Sequence, residues 1–156
     1  MTILHAKYKL KPPLHDSIIR VSYLIPNLNL LDLNGQTPLI VSAMEGYTDI
    51  VKTLVEGNAD LNSRNTHNWT PLIWAFIGGS SEVVQIIVEG SADVDLSDEL
   101  GCTPLIRAVD EGRPEIAEML VKHGASVNAI TNNGDTALSS AAQYGSVDTL
   151  SKKVPN

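Results

Sequence analysis

Apolar residues recur at helical spacing in three separate stretches of the chain. In the first stretch, Ile50, Val51, Leu54 and Val55 fall on one face of an α-helix, because they are separated by one, three and four positions. The other two stretches repeat the pattern, with Val83, Val84, Ile87 and Val88, then Ile116, Ala117, Leu120 and Val121. A short helix with one apolar face needs a neighbour to cover it, so the pattern predicts helices buried against one another.

These apolar stretches are spaced 33 residues apart, and short sequence motifs recur at the same spacing. Thr-Pro-Leu-Ile begins at Thr37, Thr70 and Thr103, and a weaker Thr-Ala-Leu-Ser begins at Thr136. A glycine stands nine residues after each of these threonines. Four copies in register predict a repeat architecture in which each copy is one supersecondary unit.

Each copy predicts two antiparallel helices. The threonine before proline is suited to cap a helix, and proline at the first helical position loses only an amide that has no partner there. The glycine nine residues later ends this first helix. An acidic residue three positions further on favours the start of the second helix, where negative charge complements the helix dipole; these residues are Asp49, Glu82, Glu115 and Asp148.

Residues 32–150 resemble the ankyrin repeat. The family's GADVN segment has counterparts in residues 58–62, 91–95 and 124–128, again at the same step. The resemblance implies an all-α solenoid of stacked helix-turn-helix units with short β-hairpin fingers. It also implies one continuous domain, with a degenerate capping repeat at residues 1–31 and repeats at about 32–64, 65–97, 98–130 and 131–156.

The chain departs from the family pattern at two kinds of position. The histidine of the family's TPLH motif is replaced in all four repeats, by Ile40, Ile73, Ile106 and Ser139. Its hydrogen bonds to the neighbouring loop are therefore expected to be missing, and the loops must be held in another way. The left-handed glycine after the second helix is replaced by Asn58 and Ser91, and we expect Gly57 and Gly90 to relieve strain there.

Charge is unevenly distributed along the chain, whose net charge is -7. Residues 1–20 are basic, whereas residues 21–151 hold five basic and seventeen acidic residues. An acidic surface repels nucleic acid and anionic lipid and speeds the encounter with a basic partner. We therefore expect a basic protein partner, and neither nucleic acid nor membrane.

Candidate chemistry is sparse. The four histidines lie at unrelated repeat positions, and Cys102, the one cysteine, has no basic neighbour in sequence that would lower its pKa. The acidic pairs Asp98-Glu99 and Asp110-Glu111 lack the ligand spacing of a calcium loop. We expect no catalytic residue, metal or cofactor. The single cysteine and the absence of a long apolar run indicate a cytoplasmic location.

The resemblance also implies where a partner binds, because ankyrin proteins commonly use their fingertips and the exposed side of each first helix. Trp69 is the strongest single candidate, since aromatic residues dominate interface energetics, with local packing as the alternative role. Trp74 replaces a small residue of the family's usual first helix, which favours packing between repeats, and it is a secondary candidate for the partner contact. The full candidate contact set is Leu33, Gln36, Met44, Glu45, His67, Trp69, Trp74, Ile77, Glu99, Leu100, Asp110, Glu111, Asp135 and Tyr144.

The leading functional hypothesis is a non-catalytic module, a monomer when free, that binds and occludes a protein partner on an acidic concave face. By analogy, a sharper version is an immunity protein that neutralises a toxin or another enzyme. The alternative is a structural scaffold or oligomerisation subunit without inhibitory activity.

Overall fold

The computed structural model describes residues 28–143, which form two compact units divided between Ala92 and Asp93. The first unit contains α1 (Pro38–Met44), α2 (Thr48–Glu56), α3 (Pro71–Ile77) and α4 (Ser81–Glu89). The second contains α5 (Pro104–Asp110), α6 (Pro114–Lys122) and α7 (Ala137–Gln143). Most of the predicted capping repeat and the predicted second helix near Asp148 lie outside the described residues. The repeat boundaries and the single continuous domain stay predictions.

The all-α fold class is confirmed, since helices are the regular elements of residues 28–143. The expected β-hairpin fingers are tight turns in this part of the chain. Only one of them carries an isolated antiparallel bridge, between Ile130 and Thr136.

The first helix of each pair begins where the repeated threonine predicts. Thr37 accepts a hydrogen bond from the Ile40 amide at 3.2 Å. In the fourth repeat, the Ser139 amide donates to the Thr136 hydroxyl at 3.1 Å and the Thr136 amide donates to the Ser139 hydroxyl at 2.8 Å, which is the reciprocal arrangement of a capping box. In the second and third repeats, the Ile73 amide donates to the Thr70 hydroxyl and the Ile106 amide donates to the Thr103 hydroxyl, both at 3.3 Å.

The predicted breaks between helices are also confirmed. Gly46, Gly79 and Gly112 follow α1, α3 and α5 with φ angles of 71°, 76° and 65°. Residues with side chains rarely adopt this left-handed conformation, so these glycines end the first helices. Asn58 and Ser91 adopt it as well, at 60° and 70°, after α2 and α4.

The expectation that Gly57 and Gly90 relieve this strain is wrong. Both have ordinary negative φ angles at the ends of α2 and α4. A Cβ on Gly57 would lie 2.9 Å from Leu28 Cδ1, and one on Gly90 would lie 2.9 Å from Val55 Cγ1. These glycines therefore allow neighbouring segments to approach closely.

The core of each unit is built almost entirely from aliphatic side chains. In the first unit, α1 packs against α3 and α2 packs against α4. In the second unit, α5 packs against α6 and α7. Ile40, Ile73 and Ile106 are at most 1% exposed, so the residues that replace the family's histidine strengthen the core. Burying such a side chain contributes about 2 kcal/mol.

Candidate partner-binding surface

Four tight turns, here called fingers, precede the first helices and comprise residues 32–36, 65–69, 98–102 and 131–135. In each finger the first residue's amide donates to the carbonyl of the fifth, at 2.8–3.1 Å. The side-chain oxygen of that first residue also accepts from the amides of the third and fifth residues. The four residues are Asp32, Asn65, Asp98 and Thr131. One polar side chain thus sets the shape of each finger.

Neighbouring fingers within each unit are joined by hydrogen bonds. In the first unit, the amide and hydroxyl of Thr66 donate to the Asn34 carbonyl at 3.5 and 3.3 Å. In the second unit, the Asn132 amide donates to the Leu100 carbonyl at 3.0 Å, and its side chain donates to the Glu99 carbonyl at 2.8 Å. The sequence predicts that the loops are held without the family's histidine. In the structure, these bonds and the side chains at the finger bases hold them.

The buried carboxylate of Asp98 forms an ion pair with Arg107 on α5. Its Oδ1 accepts from the Leu100 and Cys102 amides at 2.9 and 3.0 Å. Its Oδ2 accepts from Arg107 Nε at 2.8 Å and also from Arg107 Nη2. The Asp98 side chain is 1% exposed and the Arg107 side chain 22% exposed. The pair therefore links the base of finger 98–102 to the helix that follows it.

Trp69 and Trp74 contact each other in the first unit. Their ring centroids lie 4.7 Å apart, with the ring planes tilted by 58°. Trp69 is the last residue of finger 65–69, and Trp74 lies in α3. Both residues are half-buried. The contact supports a packing role for Trp69, while its partial exposure leaves surface that a partner can reach.

The members of the candidate contact set in the first unit are exposed or half-buried. Leu33 is 94% exposed at the tip of finger 32–36, and Ile77 is 38% exposed at the end of α3. Glu45 is the one acidic member among them, and it is exposed. His67 is also exposed, whereas Gln36, Met44, Trp69 and Trp74 are half-buried. This part of the set is mainly apolar.

The members of the set in the second unit are mainly acidic. Leu100 is 63% exposed at the tip of finger 98–102. Glu99, Asp110, Glu111 and Asp135 are all exposed. Glu111 forms an ion pair with Arg113 at 3.7 Å, which offsets part of its charge. Tyr144 lies outside the described residues.

Cys102 is half-buried in the base of finger 98–102. Burial raises the pKa of its thiol, and the Asp98 carboxylate adds to this effect. Asp110 and Asp135 raise the pKa further, while Arg107 lowers it. The thiol is therefore protonated at neutral pH, which supports its interpretation as a structural residue and not a nucleophile.

Metal-binding clusters and membrane spans are both missing from the described part of the chain. Residues 28–143 contain no group of three or more His, Cys, Asp or Glu side chains arranged to hold a metal ion. None of the helices in this range has the length and apolar character needed to cross a membrane.

The residues at the finger bases are not among the candidates that the sequence indicates. Their signal is nevertheless present, because Asp32, Asn65, Asp98 and Thr131 each stand five residues before the repeated threonine. The pairing of Asp98 with Arg107 has no periodic signal, since α3 carries tryptophan at the position of Arg107. The Trp69–Trp74 contact joins two candidates that the sequence presents separately.

A family model for ankyrin repeats matches three overlapping segments of the chain, residues 14–98, 57–131 and 79–152. These segments together span most of the sequence, including both described units. A search of curated proteins found no match.

Proposed function

The chain belongs to the ankyrin-repeat family, and on that premise we propose that it binds and occludes a basic protein partner through its fingers and first helices. Ankyrin repeats are protein–protein interaction modules. The observation that carries the proposal is that every described member of the candidate contact set is exposed or half-buried. At the end of α1, for example, Met44 is half-buried and Glu45 is exposed, whereas Ile40 within the helix is completely buried.

The preference for a basic partner is supported by the charge of the second unit. Its described residues, 93–143, include nine acidic and three basic residues. Asp110 at the end of α5 and Asp135 in finger 131–135 are exposed members of the contact set. Acidic side chains at an interface chiefly raise the association rate of a basic partner, and this effect weakens as salt screens it.

Occlusion is the proposed mechanism, since a module that binds without chemistry acts by covering a surface of its partner. In the sharper version of this proposal, the partner is a toxin or another enzyme with a basic cleft, and the chain is its immunity protein. The measurement that separates inhibition from simple binding is the partner's own activity, titrated with the purified chain to one equivalent.

Affinity capture with the full chain, followed by mass spectrometry and binding kinetics, tests the basic partner. The matched variants are Asp110→Lys/Asp135→Lys and Glu115→Lys/Glu118→Lys, which change the net charge equally. Glu115 and Glu118 are exposed on α6, outside the contact set. We expect the first variant to slow association about tenfold at low salt and the second to change it much less.

Equal association rates for the two variants would contradict binding through the fingers and first helices. Recovery of acidic partners alone would contradict the proposed partner chemistry.

A role in self-association is the alternative, and one exposed side chain favours it. Leu138 on α7 is 62% exposed, although Leu39, Leu72 and Leu105 at the same repeat position are at most 1% exposed. Neighbouring elements cover the three equivalent leucines, so Leu138 marks a position where a second copy can supply the cover that the other repeats have. A sedimentation-velocity series in which the chain stays monomeric at high concentration would dismiss this alternative, and Leu138→Ser would identify the contact if the chain associates.

A further inference from the structure

We propose that Trp69 and Trp74 form one anchor site, which receives a single large apolar side chain from a partner segment that also carries a lysine or arginine. This inference rests on the proposed binding function. It names the chemistry of the segment that the first unit recognises.

The two indole rings pack against each other but do not belong to a closed core. With centroids 4.7 Å apart and planes tilted by 58°, each ring contacts the other and both residues remain half-buried. Tilted contacts at this distance are a preferred geometry for aromatic pairs, and the partial exposure of both residues leaves surface for a further apolar group. Phe76, two residues along α3 from Trp74, is 1% exposed and shows what a packing aromatic looks like in the same helix.

The indole N–H of Trp74 gives a second reason. Its Nε1 is buried and makes no hydrogen bond, and it is the one such side-chain atom among the described residues. A buried donor without a partner lowers stability, and a phenylalanine or leucine would fill the position without that cost. The indole at this position therefore points to a role in binding beyond packing.

The neighbouring elements of the first unit predict an apolar occupant. Finger 32–36 is bonded to finger 65–69 through Asn34 and Thr66, and α1 packs against α3. Leu33 lies in finger 32–36, Ile77 ends α3 and Met44 ends α1; Leu33 and Ile77 are exposed and Met44 is half-buried. Several exposed apolar residues in one contact set are typical of an interface, whereas a single one is ordinary.

The charge of the first unit predicts the residue that flanks the anchor. Glu45 is exposed and is the one charged member of the contact set in this unit. Residues 28–92 as a whole hold seven acidic and two basic residues. A segment that brings lysine or arginine beside its apolar side chain complements this charge, and an acidic segment is disfavoured.

The site carries its own reporter, because the chain has two tryptophans and both belong to it. The probe is a phage-displayed library of random twelve-residue peptides, selected on the immobilised full chain. Synthetic peptides of the enriched clones are then titrated in solution while tryptophan emission is recorded. We expect the clones to share a large apolar residue next to lysine or arginine, and their binding to shift the emission to shorter wavelength.

Three variants complete the test. Trp69→Ala should weaken the peptide about thirtyfold, and Leu33→Ser about fivefold. Ile130→Ser is the matched control, because Ile130 is 65% exposed and lies outside the contact set, and it should leave affinity unchanged. Leu33 is too exposed for its replacement to unfold the chain, so this variant tests the site even if Trp69→Ala proves unstable.

The outcomes separate the inference from the proposed function. Enriched peptides without the apolar and basic pair, or binding that leaves tryptophan emission unchanged, would overturn the anchor while the binding function stands. A selection that enriches no peptide over a blank surface would count against the binding function itself, and the anchor would fall with it.

Discussion

Residues 65–77 and residues 98–110, each a finger with the first helix of its repeat, have the same backbone design but different side-chain chemistry. In both, a first residue closes the finger, a threonine caps the helix and proline follows it. Where one repeat has Asn65 and Trp74, the other has Asp98 and Arg107 at the same positions. In the first repeat these two positions hold a buried amide and a half-buried indole, whereas in the second they hold a buried carboxylate paired with a partly exposed guanidinium.

The difference shows that closing the finger and pairing a charge with the following helix are separate roles. Asn65 and Asp98 both accept two amides through Oδ1, so the finger needs an acceptor oxygen and not a charge. The charge on Asp98 has its own partner, Arg107, which accounts for why a carboxylate is tolerated in a buried place. The position on the helix is then the variable one, occupied by Trp74 in one repeat and by Arg107 in the other.

Removing Arg107 should produce the largest loss of stability. Arg107→Ala leaves the Asp98 carboxylate buried without its cation, and we expect the free energy of unfolding to fall by about 2–3 kcal/mol. This is less than a fully buried pair would give, because Arg107 is partly exposed and solvent screens it. Urea denaturation of the variant and the parent chain at pH 7 measures the difference.

Asp98→Asn is the matched control for that variant, since it makes the finger base of the second unit like that of the first. The amide oxygen can still accept from the Leu100 and Cys102 amides, and Arg107 can turn to solvent. We expect a loss of about 1 kcal/mol. A loss equal to that of Arg107→Ala would mean that the charge, and not the acceptor oxygen, holds finger 98–102.

Exchanging the left-handed residues of the two fingers should give the next largest effect. Asn68 and Gly101 stand at the same position with φ angles of 58° and 76°. A Cβ on Gly101 would lie 2.8 Å from the Asn132 amide nitrogen. We therefore expect Gly101→Asn to cost roughly 2 kcal/mol, because backbone of the next finger must move. Asn68→Gly should change stability by less than about 0.5 kcal/mol.

Thermal melts of the two variants, compared with the parent chain, check this asymmetry. Gly134→Asn supplies a further control, since Gly134 has a φ angle of 86° but a Cβ added there would meet nothing within 4 Å. If Gly101→Asn and Gly134→Asn cost the same, conformational strain and not the contact with Asn132 explains the glycine.

The fold could be predicted because its determinants are periodic. Thr37 and its counterparts cap helices through their own side chains, and glycines such as Gly46 end them through backbone conformation, so each signal is local and recurs in every repeat. The positions that the sequence does not predict are those where a second segment matters. The expectation for Gly57 considers only local backbone conformation, whereas the role of this glycine depends on Leu28, which belongs to a distant part of the sequence.

The candidate site was less predictable for the same reason. Surface exposure follows from repeat position, which is why the resemblance located Leu33 and Asp110 at exposed places. Side-chain pairs such as Asp98 with Arg107, or Glu111 with Arg113, depend on which residues face each other at one repeat. Such pairs change the charge that a surface offers, and no periodicity predicts them.

Replacing Trp74 by phenylalanine should have a small effect on stability, in contrast to replacing Arg107 at the same repeat position. Trp74→Phe removes the buried N–H that has no acceptor, and this gain offsets the contact area lost with the smaller ring. We expect the free energy of unfolding to change by less than about 1 kcal/mol in urea denaturation. A loss above about 2 kcal/mol, the size expected when a packed core side chain is cut back, would show that the indole is held by the core. The Trp69–Trp74 pair would then be a packing element and not a partner anchor. A small change in stability, together with weaker peptide binding, would support a role for Trp74 in binding. Arg107, at the same repeat position, would then be the residue that stabilises the fold.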